Sequence, residues 1–121
     1  MVLIEANKQK RLLHFSYLGH VTRAELKARR EELEASLAEF KAGFRLLTDL
    51  TELETMDRDC MLEIGKVMEL LEKKGLELVV RVIPDPKKDI GMNILTLFHY
   101  SRKVHPVTYE TLEEALKALG L

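Results

Sequence analysis

The sequence predicts an α/β protein with a mixed sheet of about five strands and about four helices in the order β-β-α-β-α-β-α-β-α. Three observations predict it. Two short alternating apolar segments open the chain, "VLIEA" (2–6) and "RLLHFSYLG" (11–19). Two runs apolar on both faces, "FRLLTDL" (44–50) and "LELVVRVIP" (76–84), lie further on. Between and after these runs come segments of helical period with start and stop signals, and strands alternating with such helices imply crossover connections and a largely parallel or mixed sheet.

The first two segments, separated by the polar "NKQK", read as a hairpin whose strands pair antiparallel. "TRAE" then has capping-box spacing, with Thr22 as cap and Glu25 reaching back to it. Leu26, Leu33, Leu37 and Phe40 follow at helical spacing, and Gly43 is the expected stop. The run 44–50 reads as a buried central strand, because a strand covered on both faces loses the usual alternation. A second helix over about 58–74 carries Met61, Ile64, Val67, Met68 and Leu71 on one side and ends at Gly75.

The run 76–84 reads as a second buried strand closed by Pro84. A loop and a third helix from about Lys88 to Ser101 follow, with Ile90, Ile94, Leu97 and Phe98 inward and Gly91 weakening the start. "VHPVTY" (104–109) is a last strand, assigned to a sheet edge because proline cannot donate to a ladder. Thr111 and Glu114 repeat the capping-box spacing and open a terminal helix with Leu112, Ala115, Leu116 and Leu119.

With 121 residues, 46% of them hydrophobic and 32% charged, the chain has the length and composition of one globular domain, residues 1–121. Its 19 basic and 20 acidic residues leave a formal net charge of −1, so no global field draws it to nucleic acid. A single cysteine excludes an internal disulfide and agrees with a reducing compartment. The first 20 residues include Glu5, Lys8, Lys10 and Arg11, which interrupt any secretory core, and no stretch of about 18 uncharged apolar residues exists for membrane insertion. A cytoplasmic protein is the expectation.

The stretch "LLTDLTELETMDRDCM" (46–61) concentrates the candidate chemistry. Together with the order of elements, it resembles the STAS family of sulfate-transporter and anti-sigma-factor-antagonist domains. Asp49, Leu50 and Thr51 match that family's Asp-Leu-Ser, Met56 takes the apolar loop position, and Asp57 keeps the first aspartate of its Asp-Ser-Ser-Gly. Arg58, Asp59 and Cys60 stand where the family has Ser, Ser and Gly. The resemblance implies helices packed mainly on one sheet face and a non-catalytic, cofactor-free regulatory module that binds a protein partner. The serine that accepts phosphate in the phospho-regulated members has no counterpart at position 59. Asp57 and Asp59 read as N-cap and first-turn acids, with imitation of a phosphorylated state by Asp59 as the alternative. The layout also resembles small stand-alone bacterial STAS-like or lipid-transfer-like proteins.

A second stretch, "PDPKKDIG", places Lys87 and Lys88 beside the start of the third helix, where an anionic group could be held. It lacks the glycine-rich pattern of a nucleotide loop. The loops 51–58 and 84–90 should leave the C-terminal ends of neighbouring strands, the edge where ligands bind in α/β sheets. The candidate surface is therefore Thr51, Thr55, Met56, Asp57, Arg58, Asp59, Cys60, Lys87 and Lys88. Its expected occupant is a protein partner, a homodimer being left open. The alternative is a small ligand, an acyl chain or anion between the second and third helices, in a pocket lined by Met61, Ile64, Ile94 and Phe98.

The four histidines, His14, His20, His99 and His105, have no spacing that demands a metal. Cys60 near a helix start reads as a small structural cysteine, since Asp57 and Asp59 oppose thiolate formation. "KARREELE" carries Lys27–Glu31 and Arg30–Glu34 pairs four residues apart and reads as a solvated helix face.

Overall fold

A computed structural model describes residues 1–85, 100–101 and 104–121. The described elements are β1 (Val2–Asn7), β2 (Leu12–Val21), α1 (Arg23–Leu37), β3 (Phe44–Met56), α2 (Cys60–Lys73), β4 (Leu76–Val82), β5 (Val107–Tyr109) and α3 (Leu112–Ala118). The helix expected over about Lys88 to Ser101 lies, apart from its last two residues, outside the described residues. Three helices are therefore described against the four expected.

The five strands lie in the order β1-β2-β3-β4-β5. β1 and β2 pair antiparallel, from Val2 opposite Tyr17 to Asn7 opposite Leu12, as the polar turn between them dictates. All other pairings are parallel. β5 is an edge strand, as Pro106 implies, and the proline sits just before its first residue.

Successive side chains of a strand point to opposite faces. Leu46 and Val79 accordingly join the larger core with Phe15, Leu26, Leu33, Ile64 and Met68, beneath α1 and α2. Leu47 and Val80 join a smaller core with Leu12, Val82, Ala115 and Leu119, beneath α3. The apolar runs of β3 and β4 are thus covered on both sides, with the short terminal helix alone on the reverse face among the described helices. Arg45 anchors that helix. Its guanidinium donates to the carbonyls of Leu119 at 2.9 Å and Lys10 at 3.1 Å, and a cation at a helix C-terminus is favoured by the dipole.

Two boundaries and one cap depart from expectation. α1 ends at Leu37 instead of running to Gly43, because Phe40 leaves the helix axis to pack edge-on against Phe44, with ring centroids 5.9 Å apart. β3 continues to Met56, so Thr51–Met56 is strand and not loop. Its polar letters, with two glutamates, suit a loop. However, β2 runs on beside it, pairing Leu18 with Glu52 and Val21 with Met56, and that ladder decides. The first capping box is also half formed. Thr22 Oγ1 accepts the Glu25 amide at 3.3 Å, while the Glu25 carboxylate accepts the Val2 amide and ties the helix to β1.

Gly75 ends α2 as expected, with φ of 103°. A Cβ there would come within 2.6 Å of the Ala42 Cβ, so the turn that leads into β4 requires glycine twice over.

Candidate functional site

The stretch 46–61 occupies β3 from Leu46 onward and the start of α2. Asp49 and Thr51 form a local turn, in which the Asp49 carboxylate accepts the Thr51 amide at 3.0 Å and its hydroxyl at 2.5 Å. Above it, β2 and β3 bring His20 opposite Thr55. The ladder shifts register between Gly19 and His20, where Gly19 takes φ of 62°. Such bulges re-aim a side chain. His20 Nδ1 lies 2.6 Å from Thr55 Oγ1, and His20 Nε2 lies 3.1 Å from Asp57 Oδ1.

Asp57 is held in turn by its own amide, which donates to the Val21 carbonyl at 3.1 Å. Asp59 occupies the N-cap position of α2 in helical conformation, and its side chain makes no cap hydrogen bond. An N-cap side chain folds back onto the helix from extended backbone, which Thr22 and Thr111 have and Asp59 lacks. Neither aspartate is therefore a side-chain cap: one is on a histidine, the other in solvent.

Cys60 is fully buried, so among the described candidate surface residues it alone is withdrawn from solvent. Its thiol donates to the Val21 carbonyl at 3.4 Å. Burial, then the charges of Asp57 and Asp59, push its pKa up, which leaves it a thiol and not a nucleophile. Thr51, Thr55, Asp57, Arg58 and Asp59 are exposed and Met56 is half-buried. One turn further, Met61 is 41% and Leu62 56% exposed, although α2 otherwise turns its apolar residues inward. Lys87 and Lys88 lie outside the described residues, as do Ile94, Phe98 and His99. No cluster of three or more metal-ligating side chains exists among the described residues. No helix among them is long and apolar enough to cross a membrane.

Two buried charges escaped the sequence reading. Glu63 on α2 is 1% exposed and accepts Arg30 Nε–H of α1 at 2.9 Å, with Arg23 and Lys66 each 3.5 Å from its other oxygen. Burial raises its pKa, and the Arg30 hydrogen bond together with the charges of Lys66, Arg30 and Arg23 reverses that, leaving it below the ordinary carboxylate value. Arg81 on β4 is also 1% exposed. It stands as the one charged letter within "VVRVI", which is the signal that could have found it: a cation in a doubly covered strand must face polar company inside.

That company surrounds a cavity of about 20 Å³ lined by Phe15, Tyr17, Thr48, Met68, Arg81 and Tyr100 among others. Burial holds both tyrosine hydroxyls far above their ordinary pKa against the opposing charge of Arg81, so they remain neutral donors. A space of this size accepts about one water molecule. It is too small for an acyl chain; of the residues expected to line a ligand pocket Ile64 lines it, Met61 turns outward, and Ile94 and Phe98 lie outside the described residues.

Comparison with protein-family models and with curated proteins gives no match. Solved structures do match over nearly the whole chain. A DUF3478-family protein of SpoIIAA-like fold from Shewanella loihica PV-4 superposes with a TM-score of 0.72 at 20% identity, covering 98% of this chain and 92% of that one. The anti-sigma factor antagonist SpoIIAA in its unphosphorylated form gives 0.66 at 15% identity, covering 99% and 96%. An anti-sigma factor antagonist from Mycobacterium paratuberculosis gives 0.58 at 20% identity, covering 100% and 94%. The strand order, the antiparallel first hairpin and the paired helices α1 and α2 thus belong to a protein of the SpoIIAA-like, STAS-like fold.

Proposed function

We propose that the protein is a non-catalytic regulatory module that docks a protein partner on the surface made by Thr51–Asp59 and the first turns of α2. One observation carries the reading. Met61 and Leu62 are exposed side by side at the start of a helix whose other apolar residues are buried or half-buried, beside the exposed charges of Asp57, Arg58 and Asp59. An apolar pair with a polar rim is the usual composition of a docking surface. The likeness in fold to anti-sigma factor antagonists supports the same class of role.

With Asp59 at the head of α2, this surface carries a constant negative charge in place of a hydroxyl that could be modified there. Control by phosphorylation at that position is therefore absent from the proposal. Native mass spectrometry of the full chain isolated from its host tests the reading. A stoichiometric protein complex that Leu62→Asp abolishes supports it. A complex indifferent to that substitution, or a co-purifying small molecule in place of a protein, overturns it.

A further inference from the structure

The contact of His20 with both Thr55 and Asp57 has the form of an activated hydroxyl: a nucleophile on one imidazole nitrogen and a carboxylate on the other. We propose that Thr55 is an acyl-acceptor site, modified through its Oγ by activated acyl donors such as aryl esters or thioesters. The carboxylate of Asp57 selects the tautomer with the proton on Nε2, which leaves Nδ1 free to accept from the Thr55 hydroxyl. Both partners stand on paired strands, and the Gly19 bulge sets the ring, so the geometry exists before any donor arrives.

In the step, Thr55 Oγ bonds to the carbonyl carbon of the donor while its proton passes to His20 Nδ1. The bond from that carbon to the leaving oxygen or sulfur breaks, the leaving group departs with the electron pair, and the imidazolium returns its proton to solvent. Local charge favours a neutral carbonyl over a phosphoryl donor. Asp57, in contact with the same imidazole, and the exposed Asp59 face the single cation Arg58 in this turn and would repel a polyanion. The exposed Met61 and Leu62 add apolar surface one turn beyond, which suits an acyl or aryl group.

The test is acetylation of the purified full chain by p-nitrophenyl acetate, followed by intact mass and by peptide mapping, with no partner protein present. One acetyl group on Thr55 is expected, retained in Thr55→Ser and lost in Thr55→Val. His20→Gln should slow it by about 10²-fold, the usual contribution of a positioned base. Asp57 acts as a positioning residue, so Asp57→Asn should slow the reaction and Asp57→Glu return most of the rate. Circular dichroism confirms that each variant is folded, as expected for exposed positions. Acetylation confined to lysines and the N-terminus, or a Thr55 rate unchanged in His20→Gln, overturns the proposal.

Discussion

Arg30 of α1 donates from Nε to Oε2 of Glu63 of α2 at 2.9 Å, and Glu63 is almost wholly removed from water. The bond joins the two helices that cover the larger core, and Arg30 extends it to Glu34 at 3.1 Å on its own helix. An acid in that position is tolerable only while it is paired, because an unpaired buried charge costs several kcal/mol.

The pH dependence of stability follows from this. The Glu63 pKa is lowered in the folded protein, so its contribution is complete above the unfolded value of about 4.3 and is lost as pH falls through the folded value. Urea denaturation at a series of pH values should show stability falling below about pH 4.3, and the fall should be shallower in Glu63→Gln. At neutral pH that variant should be less stable by about 1.5–3 kcal/mol, the worth of a charged hydrogen bond.

Capping should separate Thr22 from Asp59. Thr22 Oγ1 accepts an amide of the first turn of α1, so Thr22→Ala should cost about 1 kcal/mol. Asp59 makes no such bond, and Asp59→Ala should stay within about 0.5 kcal/mol of the parent in thermal unfolding. If Asp59→Ala also leaves partner binding unchanged, its charge has no part in the docking surface.

Gly75→Ala should be among the most destabilising single changes in the chain. It places a Cβ against Ala42 and forces a left-handed φ on an L-residue, at a cost of about 1–3 kcal/mol for the backbone before any clash is counted. Denaturant midpoints measure it. A midpoint equal to the parent's would mean that the turn between α2 and β4 can relax.

Leu47→Ala tests the reverse face. Leu47 is fully buried in the smaller core with Ala115 and Leu119, and truncation should cost about 2–5 kcal/mol. Loss of hydrogen-exchange protection in α3, with protection kept in α1 and α2, would confirm that this helix depends on that contact.

Most of the architecture was legible because it is written in local pattern. The hairpin shows as two alternating segments around a polar turn, the two central strands as runs without alternation, and the helix ends as Thr22, Gly75 and Thr111. The boundaries that slipped were those where a packing or pairing contact overrode local preference. β2 extended β3 through its glutamates, and Phe44 drew Phe40 out of α1. Glu63 resembled any surface acid, since its partner Arg30 lies 33 residues earlier.

The candidate site divides the same way. The sequence proposes a location at 46–61, because an apolar run ending in Asp-Leu-Thr before an acidic helix start has chemical content in one dimension. The roles within it did not. Asp57 contacts an imidazole instead of capping, Cys60 points inward, and Thr55 meets His20 across a gap of 35 residues. Periodicity and capping are read from neighbours a few positions apart, so the order of strands and helices was already present in the chain. Which charges are buried, which face α3 covers and which hydroxyl meets a histidine depend on strands being paired in register, and that exists only once the sheet has formed.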